Sequence, residues 1–137
     1  MENVIESAPT IAGEEFSRVA LGQEAADLLR KLWNRHGPLM FHQSGGCCDG
    51  SSPMCFPAGE FKTGDSDIRL GAFTLSDEAG NPLGNLDFWM SREQFEYWKH
   101  TKLTIDVVPG RGSGFSVEAP EGKRFLIRSE IIEFPTN

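Results

Sequence analysis

With 137 residues the chain fits one domain, and 39% hydrophobic against 24% charged residues supplies an ordinary core and excludes a disordered polymer. A formal net charge of −7, with the basic residues scattered, sets up repulsion against phosphate backbones and anionic lipids, so nucleic acid is not expected as a partner. Met1–Glu6 lacks the basic start and apolar run of a signal peptide, and no apolar stretch approaches the roughly 20 residues that span a bilayer, so a cytoplasmic protein without membrane contact is expected.

Residues 1–17 hold Pro9, Gly13 and several acids without a sustained apolar period, and read as a loosely held arm. From Gly22 to about Arg35 a helix is predicted, with Leu21, Ala25, Leu28, Leu29 and Leu32 on one stripe and Gly37-Pro38 as its stop. Leu39-Met40-Phe41 reads as a short buried strand leading into a loop from Gln43 to Pro53, where glycine, serine and aspartate disfavour regular structure. Asp67–Phe73 reads as a half-buried strand, with Ile68, Leu70 and Ala72 alternating against Asp67 and Arg69. After a turn at Asp77–Pro82, the alternation of Leu86, Phe88 and Met90 predicts another strand. Ser91 and Gln94 are spaced as a capping box, opening a short helix to about Lys99 that is expected to bury Phe95 and Trp98. Leu103, Ile105 and Val107 mark a strand, Pro109–Gly114 a hairpin turn into Phe115-Ser116-Val117, and Phe125, Ile127 and Ile131 a last strand after the turn at Pro120-Glu121-Gly122. No internal repeat or long linker divides residues 18–137, which are expected to form one α+β domain, a mostly antiparallel sheet or small sandwich with one main helix.

The chemistry concentrates in the loop. Cytoplasmic thiols stay reduced, so Cys47, Cys48 and Cys55, an odd set held close together, read as ligands or reactive groups rather than as a disulfide framework. Thiolates suit zinc, copper(I) and iron–sulfur centres, and glycines let the backbone bend around a bound ion. His42 adds an imidazole just before the loop, and Asp49 an oxygen or an acceptor behind a ligand. The same residues also fit a thiolate nucleophile whose pKa is lowered by His42 or by loop amides. Against both stands packing: a cysteine is often a small buried hydrophobe.

Other signals carry less. Pro109-Gly110-Arg111-Gly112-Ser113-Gly114 precedes a strand rather than a helix, so the phosphate-cradling helix terminus is missing. Trp33, Trp89 and Trp98 sit at helix or strand spacing and read as core. No Ser-His-Asp order or P-loop appears.

The run Gly37-Pro38-Leu39-Met40-Phe41-His42-Gln43-Ser44-Gly45-Gly46-Cys47-Cys48-Asp49-Gly50, with Met54-Cys55 beyond it, resembles a bacterial family of unknown function often encoded beside aldehyde dehydrogenases. The resemblance runs from the first helix almost to the C-terminus and implies an accessory role beside such an enzyme. In layout, the helix Ala25–Leu32, Ser44-Gly45-Gly46-Cys47, and Leu103–Val107 leading to Gly114–Val117 are similar to the A-type (HesB-like) iron–sulfur carriers, a β-rich fold with a packed helix. That resemblance implies that Cys47 or Cys48 matches the carriers' first cysteine, whereas the carriers' C-terminal Cys-Gly-Cys is absent from Ile131–Asn137.

The leading expectation is an accessory protein that binds a metal ion, zinc or an iron–sulfur centre, through Cys47, Cys48, Cys55 and His42, in support of an aldehyde dehydrogenase. A thiol enzyme or carrier and a metal-free regulatory module are the alternatives. A three-cysteine site is also compatible with a homo-oligomer that completes it across a symmetric interface.

Overall fold

The computed structural model describes residues 5–11, 13–43, 53–59, 63–64, 67–77, 79–110 and 119–131. Among these, β1 (Ile5–Glu6), β2 (Val19–Leu21), β7 (Thr101–Pro109) and β8 (Lys123–Ile131) form one sheet in the order β1-β2-β7-β8. β3 (Leu39–Gln43), β4 (Met54–Pro57), β5 (Asp67–Ser76) and β6 (Pro82–Ser91) form the other, in the order β4-β3-β6-β5. Most pairs are antiparallel, while β2 with β7 and β3 with β6 run parallel. Two helices, α1 (Gln23–His36) and α2 (Arg92–Trp98), complete the small α+β fold that the patterning implied.

The inner faces of both sheets share one apolar core. Phe41 of β3 meets Phe125 of β8 edge-on, with ring centroids 4.9 Å apart, so an aromatic contact joins the sheets directly. Leu28, Leu29 and Leu32 of α1 enter the same core, as their spacing of one and three requires. Burying each leucine contributes about 1.5–3 kcal/mol. Gly37 ends α1 at φ +83°, a conformation that disfavours side chains with a Cβ, and its amide donates to the Trp33 carbonyl at 2.8 Å.

Several elements depart from the sequence-based expectation. The segment expected to be a loose arm is tied down: Ile5 and Glu6 pair with β2, Ala8 bridges to Ala72, and Ser7 is buried. Leu21, placed on the helical stripe by its spacing, instead belongs to β2 and pairs with Ile105. In β5 a register shift between Arg69 and Gly71 changes the phase of the strand, so that Phe73 and Leu75, rather than Ala72, point inward beyond Leu70. Helix α2 begins as expected, with the Gln94 amide donating to Ser91 Oγ at 3.3 Å. Phe95 and Trp98 lie only half-buried against the core. The expected hairpin turn from Arg111 and the strand Phe115–Val117 lie outside the described residues. No helix among the described residues is long and apolar enough to cross a membrane.

Candidate functional site

All five residues of β3 are buried, because the strand has neighbours on both sides, β4 antiparallel and β6 parallel. Side chains alternate across a strand, so Leu39 and Phe41 enter the core while Met40 and His42 point to the opposite face. Both remain buried there, Met40 at 6% and His42 at 3% exposure.

A buried imidazole needs hydrogen-bond partners, and β5 supplies one. Asp67 opens β5 opposite Ser91 of β6 and reaches over β6, so that its Oδ1 lies 2.7 Å from His42 Nε2. Its other oxygen accepts from the Gly64 amide at 2.9 Å. Burial pushes the Asp67 carboxyl up, but the hydrogen bonds from His42 and Gly64, with the charge of His42, outweigh that and hold it below its usual 3.8. An ionised carboxylate only accepts, so Nε2 carries the proton.

Cys55 is fully buried on the other face. It pairs with Phe41 and joins the core cluster, whereas Met54 pairs with His42. The sheet therefore separates Cys55 from His42 rather than bringing them together. Cys47, Cys48 and Asp49 lie outside the described residues. The pairing of His42 with Met54 pins the strands on either side of their loop next to each other. Among the described residues, no three His, Cys, Asp or Glu side chains gather as metal ligands.

Beside His42, the face turned away from the core carries a groove of about 230 Å³, lined by Met40, Thr63, Asn85, Asp87 and Trp89 among others. Trp89 stands opposite His42 on β6 and Arg69 opposite Trp89 on β5, with an Arg69 nitrogen 3.8 Å from Asp87. Trp89 therefore belongs to this groove and not to the core that its spacing suggested. A second groove between α1 and the β5–β6 turn is lined by Asp27, Arg30, Lys31, Asn34, Asp77 and Ala79, but its basic groups are engaged: Arg30 with Asp27 at 2.8 Å and Lys31 with Glu121 at 2.6 Å.

Asp67, Met40, Met54 and Trp89 were absent from the site expected from sequence. A usable signal was present, since a histidine in an otherwise apolar strand must find a partner, and an aspartate opening a later strand is a candidate. No curated protein and no solved structure matches this chain. One family does match, over residues 28–131, and the chain belongs to it: Domain of unknown function (DUF779).

Proposed function

We propose that this is an accessory protein that holds a thiophilic metal ion or metal cluster at the loop after β3, with His42 and the loop cysteines Cys47 and Cys48 as donors, and that it serves an aldehyde dehydrogenase. The observation that carries this reading is the buried 2.7 Å bond between His42 Nε2 and Asp67. A carboxylate behind one imidazole nitrogen fixes ring orientation and tautomer, as in many metal-ligating histidines. The place of Cys55 inside the core takes it out of the proposed donor set. Of the two adjacent cysteines, one is the proposed ligand, because neighbouring side chains rarely converge on one tetrahedral ion. The dehydrogenase as partner rests on the resemblance of the Gly37–Gly50 segment alone.

The Asp67-held imidazole also favours a second reading, in which His42 draws the proton from a loop thiol and leaves a nucleophilic thiolate. One preparation separates the two. Anaerobically purified protein should carry stoichiometric metal that falls away in Cys47→Ser and Cys48→Ser variants. Protein without metal, but with one thiol that alkylates well below pH 8.5, the ordinary thiol value, selects the nucleophile. Absence of both behaviours rejects the site.

A further inference from the structure

The edge strands of the two sheets differ in how their outer sides are occupied. β1 has two residues and β4 four, and the outer side of β5 is met by Ala8, whose amide donates to the Ala72 carbonyl at 2.8 Å. β8 is nine residues long and, among the described residues, pairs with β7 alone. Alternate amides and carbonyls along its other side are therefore turned outward, a template for a further strand. Its second half, Arg128–Ile131, is exposed throughout, and Ile131 is 83% exposed. The run Ile127-Arg128-Ser129-Glu130-Ile131 is a chemical palindrome: isoleucine at both ends, serine at the centre, and opposite charges on either side of it.

We propose that two copies of the chain pair along β8, antiparallel about a two-fold axis at Ser129, and so join their β1-β2-β7-β8 sheets into one continuous sheet. The partner is a second copy because the palindrome complements itself. In this register Arg128 faces Glu130 of the partner subunit and Ile127 faces Ile131 of the partner subunit, each contact occurring twice. Directly opposed side chains share a face, with Cβ atoms about 4.5–5.5 Å apart, close enough for ion pairing and for apolar contact. Moving the axis by one residue sets Arg128 or Glu130 against its own copy, so like-charge repulsion disfavours the neighbouring registers. Arg128 Nε bonds to Asp106 Oδ2 at 2.8 Å, and a guanidinium has further donors for a second carboxylate. Lys102, opposite Glu130 on β7, turns instead to Glu6 at 2.6 Å. Ile131, left in solvent by the monomer, gains a β-branched neighbour. A ladder of five residues lies at the small end of specific interfaces, so the dimer is weak and depends on concentration. This inference is independent of the metal-binding reading.

The test is sedimentation velocity of the full reduced chain over a concentration series. Wild-type protein should move from monomer to dimer as concentration rises, and a chain that stays monomeric up to about 1 mM overturns the proposal. Glu130→Lys and Arg128→Glu each set like charges opposite one another twice across the axis, and each alone should weaken dimerisation roughly tenfold or more. Mixed in equal amounts, the two variants should regain a dimer, because the mixed pair restores opposite charges at both positions; recovery also shows that both chains are folded. Ile131→Lys replaces a side chain that the monomer leaves in solvent, so it keeps the fold and should weaken the dimer severalfold. Wild-type dimerisation in Glu130→Lys and Ile131→Lys overturns the β8 interface, and so does a mixture of the charge variants that stays monomeric while both keep the wild-type circular dichroism spectrum.

Discussion

Asp67, at the start of β5, spans the intervening strand β6 to hold His42 of β3 through a 2.7 Å bond. The carboxyl lies below its usual 3.8, because the bonds from His42 and Gly64 outweigh the upward push of burial. A carboxyl lower in the folded than in the unfolded chain adds stability that is fully present above the unfolded value and is lost as pH falls through the folded one. Urea midpoints of wild type and Asp67→Asn should therefore differ most above about pH 5 and draw together as the pH falls through the lowered value of Asp67. A gap that stays constant across that range would mean that the ionised carboxylate contributes nothing.

Cys55 should behave as a core residue. Cys55→Ala is expected to cost about 1–2 kcal/mol of stability and to leave metal uptake at the wild-type level. In native protein its thiol should react with a disulfide reagent only as fast as the chain unfolds, so labelling should separate it from any fast thiol of the loop. Rapid labelling of Cys55 in the folded state would contradict its place beside Phe41.

The strand and helix content after residue 67 was legible because its signals are local. Leu86, Phe88 and Met90 alternate, and Ser91 with Gln94 caps the next helix within four residues. The N-terminal strands were not legible, since β1 and β2 are too short to show alternation and Ala8 meets Ala72 across a long stretch of chain. Leu21 falls at helical spacing from Ala25 and Leu28 by coincidence, and only pairing with β7 shows that it is a strand residue. The site divides in the same way: His42 was visible as the residue before a cysteine loop, while Asp67, Met54 and Trp89 reach it only through sheet register.

Arg18 is 6% exposed, bonds to both carboxylate oxygens of Glu14 at 2.6 and 2.8 Å, and donates to the Lys99 carbonyl at 2.6 Å between the rings of Phe16 and Phe95. Removing one partner of such a pair leaves an uncompensated buried charge. Glu14→Ala should cost about 3 kcal/mol in chemical denaturation, more than Arg18→Met, which removes the charge itself. Equal losses in the two variants would show that the charge is not the issue.

Gly71 leaves no room for a methyl group. A Cβ there would lie 2.6 Å from Ser7 Cβ and 2.8 Å from Val19 Cγ1, and would also meet Ser7 Oγ. Gly71→Ala should destabilise by about 1–3 kcal/mol, and adding Ser7→Gly should recover part of the loss. Thermal melts of the single and double variants check both statements; full stability in Gly71→Ala would show that the N-terminal segment can lift off the sheet at no cost.

The two parallel ladders also set the order in which the chain assembles. The hairpin β5–β6 joins neighbouring stretches of sequence, whereas Phe41 finds Phe88 and Ala20 finds Thr104 only after long loops have closed. Loop closure must be met before such contacts form, so folding belongs in the slow class of β-rich topologies, on the order of milliseconds to seconds. His42 and Asp67 become neighbours only once β3 has docked on β6, so their buried bond forms with that docking step, after the local hairpin has already formed.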